Sequence, residues 1–243
     1  MDDRTLNEWV RPLIVEFIGP FALVFMGVGA ILTFPGDIVA IALAHGLGIG
    51  LLVMAAGHIS GGAYNPAVTL GLVVGRRLEP LKAVAYIGAQ LLGAVAAGLV
   101  LIAIFDKEIW DPVNLGTPAV AAPFSTGQAF VMEIVLTFFL MFVIFGTAID
   151  HRSKQVVPGL AIGLTITMDI FAGGAVTGAA MNPARAFGPA LVSGTWDDQW
   201  LYWIAPAIGA AMAAALYEFV LISWMGEAHP GHPPGPDAER PAA

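Results

Sequence analysis

The sequence predicts an all-α membrane protein of six transmembrane helices and two re-entrant half-helices, arranged as two inverted repeats. Three observations carry this. Apolar residues make up 58% of the 243 residues and charged ones 12%, with a mean hydropathy of +0.80, which lies outside the soluble globular range. Six stretches, near 10–33, 38–57, 81–105, 127–149, 156–173 and 200–225, are apolar over lengths that can cross a bilayer, a crossing that takes about 20 helical residues. Finally, Asn65-Pro66-Ala67 recurs 117 residues later as Asn182-Pro183-Ala184, and each copy lies 49 residues after a lone glutamate in an apolar segment, Glu16 and Glu133.

The two remaining apolar segments, about 59–75 and 175–192, are interrupted by Gly, Asn and Pro and are too short to span. A half-length helix that enters and leaves on one side accounts for each, since unwound backbone at membrane depth is tolerated only where it is buried or lines a cavity. Basic residues set the orientation. With six spans, Arg4, Arg11, Arg76, Arg77, Lys82, Arg152 and Lys154 fall on one side, and Lys107 alone falls on the other. The positive-inside rule then places both termini in the cytoplasm. The tail from Gly226, rich in Pro and Gly, is predicted to be disordered, and its His229 and His232 read as inert rather than as metal ligands.

Composition excludes several functions. A formal charge of −8 with scattered basic residues is no nucleic-acid footprint, and the absence of cysteine removes disulfides and thiolate chemistry. The acidic, polar start MDDRTLNEW, followed by a stretch long enough to span, argues against a cleavable signal peptide. Residues 1–243 are read as one domain with no second unit.

The repeat covers about 10–105 and 127–225, with features in the same order: a glutamate in a span, a second span, then GHISGGAYNPAVTLG against GGAVTGAAMNPARAFG. Three spans per half is an odd number, so the second half is inserted upside down and the tips of the two re-entrant segments meet near the midplane. Capping rules give each tip its chemistry. Asn is among the best N-caps and Pro is favoured at the first helical position. The Asn oxygen accepts from the backbone two or three residues on, which leaves its NH2 group as a donor at the positive end of a half-helix dipole. A single copy reads equally well as an ordinary helix start; two copies in inverted repeats do not.

Glu16 and Glu133 are costly in a bilayer. A proton relay is one reading. The other, favoured by their one-to-one pairing with the two motifs, is that each accepts hydrogen bonds from its re-entrant loop. His58, seven residues before Asn65, is expected to brace the same loop or to line the cytoplasmic vestibule, and with Ser60 it forms the only pair resembling an intramembrane nucleophile and base. His151, Arg152 and Lys154 read as a solvated cytoplasmic loop rather than a pH gate.

HISGGAYNPAVT, AVTGAAMNPARAFGPA and the paired glutamates resemble the aquaporin (major intrinsic protein) family over nearly the whole chain. The resemblance implies a homotetramer in the cell membrane with a pore in each protomer, conducting water and small neutral solutes through the lipid bilayer without a cofactor. It implies that Asn65 and Asn182 orient permeating molecules. It also implies an acceptor ladder of backbone carbonyls at Gly61, Gly62, Ala63 and Tyr64, and at Gly178, Ala180 and Met181. Arg185 corresponds to the arginine of the family's outer constriction, with His45, Ile170 and Ala179 as its partners by offset from the motifs. The water-specific members typically carry an aromatic residue in place of His45 and a histidine in place of Ile170, so this chain departs from them twice. Its set is similar to that of plant vacuolar members, some of which pass ammonia and hydrogen peroxide. Ala186 follows Arg185 where glycerol facilitators carry an aspartate, which makes glycerol a poor substrate. His45 also has a plainer reading, a bond across helices. Asp169 reads as a helix-end residue facing the outer vestibule or a neighbouring loop. An ion-coupled transporter shares inverted repeats and broken helices, but the sequence offers no evident cation site.

Overall fold

The structure, a computed structural model, describes residues 2–153 and 157–222. Lys154, the last residues of the sixth expected span and the tail from Gly226 lie outside the described residues. Among these residues the fold is all-helical. Six helices are long and apolar enough to cross a membrane: α1 (Asp3–Thr33), α2 (Ile38–Ser60), α4 (Pro80–Ile104), α5 (Thr126–Ile149), α6 (Pro158–Thr177) and α8 (Leu201–Ile222). Two short helices, α3 (Pro66–Val74) and α7 (Pro183–Ser193), follow α2 and α6 respectively. With six crossings the two ends of the described chain lie on the same side.

Three helix ends extend beyond expectation. α1 starts seven residues early because Asp2 caps it, accepting from the Thr5 N–H at 2.7 Å. α2 and α6 run on to Ser60 and Thr177, into the segments expected to be re-entrant. Each then stops at a glycine in the left-handed region, Gly61 (φ 94) and Gly178 (φ 78), a conformation that costs glycine least. The chain therefore unwinds later and over fewer residues than the motifs suggest.

α2 and α6 cross in near-contact of their backbones. A Cβ on Gly46 would lie 2.4 Å from the Gly163 carbonyl oxygen, and one on Gly163 would lie 2.4 Å from that of Gly46. These glycines are 117 residues apart, the spacing of the repeat, so their contact marks the local dyad. A second pair of matched contacts packs the outer helices: Gly93 against the Phe17 carbonyl and Gly209 against that of Ile134. Small residues let helices approach closely where no water is available to drive association. Large apolar side chains such as Ile14, Leu51, Val131 and Met168 point outward and are more than half exposed, at 53%, 61%, 59% and 53%, as a lipid-facing surface requires.

On the face carrying both ends, Arg77 holds Glu218 through two nitrogens at 2.8–2.9 Å. Arg152 binds its neighbour Asp150 at 2.6 and 2.8 Å and holds that carboxyl below the usual carboxylate range.

Candidate functional site

The site is assembled from two short stretches of non-helical backbone, 61–65 and 178–182, each joining the end of a long helix to the start of a half-helix. Asn65 has extended φ/ψ and its Oδ1 accepts from the N–H groups of Ala67 (2.8 Å) and Val68 (3.4 Å). Asn182 does the same for Ala184 (3.0 Å) and Arg185 (3.3 Å). Pro66 and Pro183 stand at the first helical positions, where no N–H is needed.

The amide nitrogens go across the dyad. Asn65 Nδ2 donates to the Met181 carbonyl and Asn182 Nδ2 to the Tyr64 carbonyl, both at 2.9 Å. Each NH2 thus spends one hydrogen on the opposite loop and keeps one. Sequence reasoning left both hydrogens free.

Tyr64 (φ 51), Ala179 (φ 45) and Met181 (φ 52) sit in the left-handed region, which costs a non-glycine residue on the order of 1 kcal/mol or more. Buried carboxylates hold Tyr64 and Met181 there, and the Thr177 hydroxyl accepts from the Ala179 N–H at 3.0 Å. Glu16 accepts from the Ser60 hydroxyl (2.7 Å) and from the N–H groups of Ala63 (3.1 Å) and Tyr64 (2.8 Å). Glu133 repeats this with Thr177 (2.7 Å), Ala180 (2.8 Å) and Met181 (2.7 Å). Both glutamates are completely buried, so each carboxyl faces a ring of donors rather than a path for protons.

Several members of this scaffold were missed in the sequence. Tyr86 donates to the Ser60 carbonyl (2.8 Å) and Tyr202 to the Thr177 carbonyl (2.9 Å). Gln90, fully buried, donates to Glu16 (2.7 Å) and Thr69 (2.9 Å), and Thr69 donates to the Asn65 carbonyl at 2.9 Å. The one available signal was that Ser60 and Thr177 are hydroxyl residues at the repeat spacing. His58 does not brace the loop: it is exposed and makes no hydrogen bond among the described residues. Two positions along a helix is a rotation of about 200°, so Ser60 faces Glu16 and His58 faces away.

A narrow cavity runs past these tips. Its lining includes His45, Gly62, Ala63, Tyr64, Asn65, Ile170, Ala179, Ala180, Met181, Asn182 and Arg185, with an apolar wall from residues such as Leu23, Ile49, Leu140 and Ile166. Gly61 and Gly178, expected in the acceptor ladder, do not line it; they make the turns that precede it. Pro66, Ala67, Pro183, Ala184, Glu16 and Glu133 stand behind the wall.

His45 Nδ1 is bonded to the Ile41 carbonyl within its own helix (2.8 Å), not across helices, and Nε2 is buried with no partner. The Arg185 guanidinium donates to the Gly116 carbonyl at 2.7 Å, leaving Nε unpartnered. Gly116 reaches it through three successive left-handed residues, Asn114, Leu115 and Gly116. Asp169 is neither at a helix end nor in the vestibule. It lies within α6, is 2% exposed, and is turned off the cavity that its neighbour Ile170 lines.

Fold and site together define a multi-span membrane protein whose two half-helices abut, N-terminus to N-terminus, beside a central cavity. The Major intrinsic protein profile matches residues 4–217, and the chain belongs to that family. Among its relatives, a probable aquaporin TIP3-2 of Arabidopsis thaliana is 40% identical, over 96% of this chain and 92% of its own length. Aquaporin-2 of Ovis aries is 42% identical over 87% of this chain and 79% of its own. Among solved structures, the aquaglyceroporin from Plasmodium falciparum superposes with a TM-score of 0.81 at 28% identity, covering 89% of this chain and 98% of that one.

Proposed function

We propose that this protein is a passive channel for water that also admits small neutral solutes such as ammonia or hydrogen peroxide, and excludes protons and ions. The observation that carries this reading is the cavity between the crossed Asn65 and Asn182 amides. One wall is apolar, and the other presents backbone carbonyls that accept and two amide N–H groups that donate. A water whose oxygen takes both donors cannot pass a proton onward through that oxygen, and the two positive helix ends add an electrostatic barrier to cations. Conduction is hydrogen-bond exchange in single file, with no bond made or broken, and no enzymatic step is assigned.

Selectivity falls to His45, Ile170, Ala179 and Arg185, all of which line the cavity. Arg185 and His45 each bring a buried nitrogen without a protein partner, and Ile170 and Ala179 leave room and offer no hydrogen bond. The carbonyl ladder consists of Gly62, Ala63 and Tyr64 in one half and Ala180 and Met181 in the other. The assembly is a homotetramer with one pore per protomer, in the cell membrane with both termini cytoplasmic.

Stopped-flow light scattering on proteoliposomes tests the reading. Shrinkage under an osmotic gradient is expected to be faster than for bare lipid, with a low activation energy and no proton current. Equal rates for protein-containing and bare vesicles would refute it.

A further inference from the structure

Away from the cavity, the lipid-facing surface carries a V-shaped apolar groove between α1 and α4. Ile14 and Phe17 form one wall, Ala85, Ala89 and Leu92 the other, and Gly88 the floor. Backbone geometry explains its shape. A Cβ on Gly93 would lie 2.0 Å from the Phe17 carbonyl oxygen, whereas one on Gly88 would meet no atom within 4 Å. The helices touch at Phe17 and Gly93 and diverge toward their N-terminal ends.

The open end of this V carries positive charge. Arg11 lies one turn before Ile14, and Lys82 one turn before Ala85 on the line that continues to Ala89. Neither forms an ion pair among the described residues. Arg11 donates to the Asn7 amide oxygen, and the Lys82 ammonium lies 5.7 Å from the centre of the Tyr86 ring. The nearest carboxylate on α1, Glu8, is engaged by Arg4 at 3.0 Å, and Glu79 at the start of α4 is exposed without a bond to Lys82. Two cations without counter-ions thus sit over an apolar cleft, in a chain whose formal charge is −8.

We propose that this groove binds an anionic phospholipid, its phosphate held by Arg11 and Lys82 and one acyl chain laid along Gly88 toward the Phe17–Gly93 contact. A zwitterionic lipid satisfies the groove but brings its own cation to a cationic mouth, so the discrimination is between headgroups. A second copy of the chain would cover the cleft but leave the two charges buried without partners, which is costly.

The test uses the full-length protein in nanodiscs of equal phosphatidylglycerol and phosphatidylcholine, with the lipid retained after detergent extraction counted by mass spectrometry. Phosphatidylglycerol is expected to be enriched, with each cation contributing about fivefold. Arg11→Gln with Lys82→Gln should bring the ratio near one, and Gly88→Phe should lower retention of both lipids. Osmotic water flux at the wild-type rate certifies that each variant is folded. A phosphatidylglycerol carrying an acyl-chain diazirine should crosslink wild-type protein at Ile14 or Gly88, a readout that needs no variant. A wild-type ratio of one, crosslinks spread evenly over the lipid-facing helices, or a disulfide between two copies of Gly88→Cys each overturns the proposal.

Discussion

The side-chain amide of Asn65 donates to the backbone carbonyl of Met181, 116 residues away, at 2.9 Å. Met181 is at the same time held from its N–H by Glu133, and its left-handed backbone turns that carbonyl toward the dyad. Each tip is therefore positioned by the buried carboxylate of its own half and then pinned by the asparagine of the other. The two halves do not merely face each other; each supplies part of the other's geometry.

Replacing Asn65 with Asp separates these roles. The acceptor that caps α3 is kept, but the donor to Met181 is lost and an oxygen faces the carbonyl instead. Asn65→Asp is expected to lower stability in detergent by about 1–3 kcal/mol, read from thermal unfolding, and Asn182→Asp by a similar amount. A wild-type melting temperature in both variants would mean that the crossed bonds carry no weight.

Gln90 braces only the first half: among the described residues the donors to Glu133 are Thr177, Ala180 and Met181, none of them on α8. Gln90→Leu removes donors to Glu16 and Thr69 and should cost about 1–3 kcal/mol. Combined with Glu16→Gln, the loss should fall short of the sum of the single losses, because both changes break one network. A double-mutant cycle in chemical denaturation measures this, and strict additivity would separate Gln90 from the glutamate hub.

Arg185→Ala removes a positive charge and a large side chain from the cavity lining. Uptake of glycerol-sized solutes should rise, proton leak should rise with it, and water flux should be retained. Reconstituted vesicles loaded with a pH dye report both changes, and unaltered solute and proton permeability would remove Arg185 from the filter.

Gly163→Ala tests the α2–α6 crossing. Its Cβ would lie 2.4 Å from the Gly46 carbonyl, so the helices must separate, at about 1–3 kcal/mol. Gly48, whose Cβ would come no nearer than 3.9 Å to Met26, is the control: Gly48→Ala should be neutral or stabilising by up to about 1 kcal/mol through helix propensity. Equal melting temperatures for the two variants would contradict the close crossing.

The Asp150–Arg152 pair gives a pH dependence. Because the folded protein holds the Asp150 carboxyl low, its contribution is present above the ordinary carboxylate range and is lost as pH falls through the folded value. Asp150→Asn should therefore lower the melting temperature at pH 7 and leave it unchanged in acid. The Arg152 side chain is 42% exposed, so the effect at neutral pH stays within about 1 kcal/mol. A difference that persists unchanged at pH 3 would exclude the ion pair as its source.

What could be read from the chain was local. Asn followed by Pro sets an N-cap within three residues, and spans are counted from hydropathy over about twenty. Errors arose where helical phase mattered. His58 and Ser60 are both polar and near the motif, yet the turn of the helix gives Glu16 only the second. Asp169 and Ile170 are adjacent, yet a rotation of about 100° puts one behind the wall and the other in the cavity.

By itself the sequence determined the six crossings, the two capped half-helices and the 117-residue repeat that relates them, because each depends on composition or on neighbours along the chain. The tertiary structure alone decided where each tip's remaining bonds go: Ser60, Thr177, Tyr86, Tyr202 and Gln90 to the re-entrant loops, Gly116 to Arg185, and each asparagine to the other half. A hydrogen bond forms only within about 3 Å. Which residues separated by dozens of positions come that close is settled by how the helices cross, and here that crossing rests on glycines packed backbone to backbone.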